Sequence, residues 1–173
     1  MCGIAGLIHR GKSSNVGEEL QNMLQALKHR GPDSTGYALY ANNDGQNFIL
    51  RFKVGENVGE GSSSVNEDES VYDERKKLVD KKLSELGAII VKEDRLTPYS
   101  FRYEMKFNKD LMEFSIALES IESVEILSIG KSLELIKDLG DATVVSERYG
   151  LNKVQGTHGI GHARMATESG VVI

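Results

Sequence analysis

A second cysteine is missing from this sequence, as are a basic excess, a long apolar run and any biased tract. With Cys2 the only thiol, an internal disulfide is impossible. Nothing reads as a scaffold for an oxidising compartment, and a reduced cytoplasm is the expected setting. The net charge of −5 and a pI near 5.4 leave no cationic footprint for a phosphate backbone, so no nucleic acid partner is expected. The apolar start, Met1 to Ile8, lacks a basic flank and is too short for a signal h-region or a membrane span, so no membrane role is expected. No internal repeat or heptad array appears.

What remains is a globular sequence. With 173 residues, 39% hydrophobic and 27% charged, the chain can bury a core without staples. Met1 precedes a small residue, so its removal is expected, leaving a free α-amine on Cys2.

Residues 2–9 read as a buried strand, with Ile4, Leu7 and Ile8 apolar and Gly3 and Gly6 allowing close backbone approach. Leu20, Met23, Leu24 and Leu27 fall at helical spacing over Glu18 to His29, and Gly31-Pro32 stops that helix. Gly36 to Tyr40 and Asn47 to Val54 read as a hairpin joined by Asn42-Asn43-Asp44-Gly45. Gly55 to Ser70 is rich in Gly, Ser, Glu and Asn and reads as an exposed loop marking a boundary.

An inserted α+β subdomain is expected over 70–139. Helices are expected at Tyr72–Leu86 and Lys109–Ile121, and strands at Ala88–Lys92, Tyr99–Phe107 and Val124–Ile129. With one further strand this becomes the ferredoxin-like split βαβ order. Lys131 to Leu139 reads as another helix, Ala142 to Gly150 as a helix returning to the main sheet, and Thr157 to Thr167 as a glycine-rich strand. Residues 1–60 and 140–173 would then form the core domain.

Three segments can carry chemistry. On position alone Cys2 is a small strand residue. Once Met1 is gone, its own α-amine can accept the thiol proton, so nucleophile and base share one residue. An α-amine near pKa 7.7–8.0 and a thiol near 8.5 need only modest help to give thiolate at about neutral pH. Arg30-Gly31-Pro32-Asp33-Ser34-Thr35-Gly36 reads as a turn, yet it can set fixed charge and backbone N–H groups beside a reactive terminus. In Gly161-His162-Ala163-Arg164-Met165-Ala166-Thr167, strand alternation puts His162 and Arg164 on one face. The Arg164 guanidinium suits bidentate capture of a free carboxylate.

Together, Met1-Cys2-Gly3-Ile4-Ala5-Gly6, His29-Arg30-Gly31-Pro32-Asp33-Ser34-Thr35-Gly36 and Gly161-His162-Ala163-Arg164-Met165-Ala166-Thr167 resemble, in that order, the class II (N-terminal nucleophile) glutamine amidotransferases. The resemblance covers about the first 55 and the last 20 residues. It implies an α+β fold, a four-layer αββα N-terminal-nucleophile hydrolase sandwich, here incomplete and carrying the inserted subdomain. Cys2 would attack the side-chain amide of L-glutamine, form a thioester, release ammonia and be regenerated by water. Arg164 would hold the substrate carboxylate, Thr167 would lie beside the glutamine, and Arg30 and Gly31 would pack around the nucleophile. His162 is expected to be structural. No cofactor and no metal are implied. The partner would be a synthase domain or subunit receiving the ammonia, as in archaeal-type glutamate synthases. A homo-oligomer is compatible with the sequence, which does not set the oligomeric state.

Two departures matter. Family members place Trp or Tyr after the carboxylate-binding Arg, where this chain has Met165. The family's oxyanion-hole segment and the Asp that binds the glutamine amine fall downstream of the Arg motif, beyond Ile173, so the chain is expected to be a fragment, inert alone. The alternative is a non-catalytic regulatory or interaction module that retains the fold.

Overall fold

The structure, a computed structural model, describes residues 2–31, 33–42, 45–55 and 68–165. In chain order its elements are β1 (Gly3–Ile8), α1 (Val16–Ala26), a 3₁₀ turn (Lys28–Arg30), β2 (Ser34–Ala41), β3 (Phe48–Val54), α2 (Glu69–Glu85), β4 (Ile89–Thr97), β5 (Ser100–Lys106), α3 (Leu111–Glu119), β6 (Val124–Gly130), β7 (Leu133–Leu139), α4 (Ala142–Tyr149), a 3₁₀ turn (Leu151–Lys153) and β8 (Gly156–Arg164). The chain divides into two compact units, 1–43 with 132–173, and 44–131.

The first unit is one antiparallel sheet of order β1-β8-β2-β7. Alternation along β8 sorts its side chains. Gly159, Gly161 and Ala163 are buried, whereas Ile160, His162 and Arg164 are exposed. The small buried set leaves room for the fully buried Leu20 and Leu24 of α1 to lie close on the strand. The Tyr37 hydroxyl of β2 donates to the Ala142 carbonyl at 2.7 Å. Asp138 of β7 accepts from the Tyr149 hydroxyl at 2.8 Å and from Arg148 at 2.9 Å. These bonds give a buried carboxylate the partners it needs and seat α4 on the same face.

The second unit runs β3-α2-β4-β5-α3-β6, with antiparallel sheet order β4-β5-β3-β6. This is the ferredoxin-like split βαβ arrangement, with β3 as the further strand it requires. Leu50, Phe52, Phe101, Tyr103 and Met105 meet Val79 and Leu83 of α2 and Phe114 and Leu118 of α3 in its core. Burial of each such side chain contributes about 1.5–3 kcal/mol. Asp80 accepts from the buried Tyr103 hydroxyl at 2.7 Å and from Lys76 at 2.8 Å.

Three expectations are corrected. Residues 36–40 and 47–54 do not form a hairpin. β2 pairs with β7 and β8, while β3 pairs with β5 and β6, because turn residues reverse a chain without choosing the strand's partners. Residues 133–139 are a strand and not a helix. Their burial alternates, with Glu134, Ile136 and Asp138 buried, a period that a short run of mixed apolar residues conceals. Consequently the units divide at 43/44 and 131/132, and not at the expected 60/70 and 139/140. The Ala41 N–H donates to the Ser132 carbonyl at 2.9 Å. The first unit's chain thus leaves and returns on neighbouring strands, the geometry in which an insertion is tolerated. Most of the loop expected at 55–70 lies outside the described residues.

Glycine inside a helix ordinarily costs about 0.5–1 kcal/mol relative to alanine, but a Cβ on Gly17 of α1 would sit 1.7 Å from the Leu151 carbonyl oxygen. Gly17→Ala should therefore destabilise the first unit by about 1–3 kcal/mol despite its better propensity, read as a lowered urea midpoint.

At the β1–α1 connection, the Glu19 carboxylate accepts from the Ser14 hydroxyl at 2.5 Å and meets His9 Nε2 at 2.9 Å. The Ser14 bond, and then the His9 bond, hold its pKa below the ordinary 4.5. A depressed carboxylate pKa gives stability that is complete above the unfolded value and is lost as pH falls through the folded one. The stability gap between wild type and Glu19→Gln should be present at neutral pH and close in acid below that value, as a pH series of urea midpoints would record.

Candidate active site

The register of the first unit brings three sequence-distant segments to one rim. Gly3 of β1 stands opposite Ala163 of β8, so Cys2 and Arg164 come next at the adjacent ends of those strands. On the other side of β8, Ser34 of β2 stands opposite Arg164, and Gly36 opposite His162. Alternation puts Cys2 on the face of Ile4, which stands opposite His162. Cys2 and Arg164 are both exposed.

The helix-stop segment closes the rim from the side. Arg30, exposed, ends the 3₁₀ turn. Gly31 then lies so near β8 that a Cβ would come within 2.6 Å of the Ala163 carbonyl carbon and the Arg164 nitrogen, an approach only glycine allows. The Asp33 N–H donates to the Arg164 carbonyl at 3.2 Å, and the Gly140 N–H donates to the Asp33 carbonyl at 3.0 Å. Cys2, Arg30, Gly31 and Arg164 thus fall in one neighbourhood. Thr167 lies outside the described residues.

A cleft of about 270 Å³ opens on this face of the sheet, lined among others by Ser34, Ala38, Leu135, Ile160, His162 and Arg164. Its lining sets the Arg164 guanidinium, a lysine, Lys137, and the Ser34 hydroxyl among largely apolar surface, the usual composition of a small-molecule site, and Cys2 is not among the lining residues. His162, expected to be structural, lines it. Ser34 and Leu135 were not singled out from sequence. Ser34 sat inside a segment that reads as a turn, and Leu135 was hidden by the helical reading of 131–139. Ile160 was within reach, two residues from His162 on the same face.

The connection from β7 to α4 adds one more charge. Asp141 accepts from Lys28 Nζ at 2.7 Å. The Lys28 bond, ahead of the α4 backbone N–H groups, holds its carboxyl below the ordinary aspartate range. Among the described residues no group of three or more His, Cys, Asp or Glu side chains is placed to hold a metal ion. Within the same residues no helix is long and apolar enough to cross a membrane.

Residues 1–49 match the glutamine amidotransferase domain family. Over 98% of its length the chain is 33% identical to a putative glutamine amidotransferase of Methanothermobacter thermautotrophicus, covering 53% of that protein. It is also 28% identical, over 99% of its length, to the glutamine amidotransferase-like protein GlxB of Rhizobium meliloti, covering 52% of it. The chain spans about half the length of the curated relatives it matches. Both alignments run through the 44–131 unit, so the similarity to these relatives extends beyond residues 1–49.

Proposed function

We propose that the chain carries the nucleophile part of a class II glutamine amidotransferase, with Cys2 as its N-terminal nucleophile. The observation that supports this most is the register that sets Cys2 beside Arg164 at neighbouring strand ends, Arg164 in turn lining a cleft. After loss of Met1, the α-amine takes the thiol proton and the thiolate adds to the side-chain amide carbon of glutamine. That proton passes to the leaving nitrogen, ammonia departs, and a glutamyl thioester remains on Cys2. Water, deprotonated by the same amine, hydrolyses the thioester to glutamate and restores the thiol.

Arg164 grips the substrate α-carboxylate in two bonds and so fixes the amide over the sulfur. Arg30 and Gly31 pack beside the nucleophile, and the role beside the substrate that the resemblance gives Thr167 is part of the same reading. The resemblance puts the oxyanion donors and the acid for the substrate's amine downstream of the Arg motif. In the αββα sandwich it implies, a second sheet covers the face on which Ile4, Ile8 and Ile160 stand 73%, 69% and 56% exposed, a density of bare isoleucine that calls for a partner layer. The ammonia passes to a synthase domain or subunit, as in glutamate synthase, and a reduced cytoplasm suits the thiol.

A second reading is a non-catalytic regulatory or interaction module that keeps the fold. Met165, softer than the family's aromatic residue at this point, favours it. Intact mass separates the two. Loss of Met1 and one covalent addition of diazo-oxo-norleucine at Cys2 support the enzyme, whereas retained Met1 blocks the amine and supports the module.

Full-length protein should hydrolyse glutamine, and Cys2→Ala should abolish this with the fold intact by circular dichroism; residual glutaminase in that variant would end the proposal. Arg164→Lys replaces a fork with a point charge and should raise the glutamine KM about tenfold or more with little change in kcat. An unchanged KM in steady-state assays would remove Arg164 from the pocket.

A further inference from the structure

One turn is fastened to both flanks of the segment that holds Arg30 and Gly31. It is Gly140–Asp141, where β7 gives way to α4. The Gly140 N–H donates to the Asp33 carbonyl at 3.0 Å, and the Gly140 carbonyl accepts from Thr35 Oγ1 at 2.8 Å. Asp141 accepts from Lys28 Nζ at 2.7 Å. Lys28 opens the 3₁₀ turn that ends at Arg30, and Asp33 and Thr35 follow Gly31. The three bonds therefore bracket the stretch whose glycine rests on the backbone of Arg164.

The Asp141 carboxylate divides its work. Its Oδ1 caps α4, accepting from the Thr143 and Val144 N–H groups at 3.1 Å each, which is all a helix cap requires. Its Oδ2 is surplus to that cap and is the oxygen that holds Lys28. Because Lys28 is half exposed, an ion pair of this kind adds little to global stability. What it can fix is geometry, since it joins the start of α4 to the start of the site segment.

We propose that Lys28 and Asp141 are a positioning pair for the reaction at Cys2, holding residues 28–31 in place against the Arg164 strand end. Neither residue touches substrate. The assignment rests on the reading of Cys2 as nucleophile. It predicts a kinetic signature distinct from that of an Arg164 substitution, because the guanidinium itself is retained while the segment packed on its strand end loosens.

The test uses full-length protein and four variants. Asp141→Asn keeps the cap acceptor and removes the charge, Lys28→Met keeps the stem and removes the charge, and Lys28→Arg keeps the charge; the fourth combines Asp141→Asn with Lys28→Met. The first two should each lower kcat about five- to tenfold with the glutamine KM within about twofold and Tm within about 2 °C. Lys28→Arg should stay within about twofold of wild type, and the double variant should be no worse than either single one. Unchanged kcat in the charge-removing variants of an active wild type, or additive losses in the double one, would overturn the proposal. If wild type neither hydrolyses glutamine nor takes up diazo-oxo-norleucine, the Cys2 reading fails instead. Amide hydrogen exchange over residues 28–35 then still decides the positioning role: about tenfold faster exchange in Asp141→Asn supports it, and an unchanged rate refutes it.

Discussion

The whole of the first unit depends on β8 pairing on both edges, with β1 on one side and β2 on the other. Antiparallel pairing fixes which residues stand opposite one another. A shift of one residue would turn His162 and Arg164 into the helix layer and Gly161 and Ala163 out to solvent. The small residues facing α1 make that shift costly, because Leu20 and Leu24 fill the space those residues leave. Core packing therefore sets the register, and the register brings the Cys2 thiol, a guanidinium and a hydroxyl to neighbouring strand ends.

The inserted unit interrupts this sheet where interruption is cheap. β2 and β7 are neighbours, and the bond from Ala41 to Ser132 closes the gap between them. The first unit's sheet needs no long span to accommodate the 44–131 unit, and that unit has its own core of aromatic and aliphatic side chains. The same neighbouring strand β7 carries the chain to Gly140–Asp141 and so to the bonds on the site segment. Sequence that looks remote from the motifs thus participates in placing them.

Electrostatics at the site are spare. One guanidinium ends β8, one lysine–aspartate pair ties α4 to the 3₁₀ turn, and the cleft floor between β2, β7 and β8 is largely apolar. Two cations, Lys137 and Arg164, stand among the residues that line the cleft. The exposed isoleucines beside it belong to the same face. A layer that buries them would also deepen the cleft and strengthen every charge interaction within it.

Sequence by itself supplied the candidate residues, because a cysteine at position 2, an Arg-Gly-Pro-Asp segment and a Gly-His-Ala-Arg segment are legible as residue types in order. It also placed β1, α1, β8 and most elements of the inserted unit, where one period dominates and a stop signal follows. It did not decide pairing. The turn at 42–45 could not say that β2 would find β7 and β8 while β3 joined β5 and β6. The mixed run at 133–139 could not say that its partner was a strand, since the period of a short apolar stretch becomes definite only when a neighbour buries one face. Ser34 and Leu135 entered the site for the same reason: their positions come from cross-strand register, a property of packed sheets and not of local sequence.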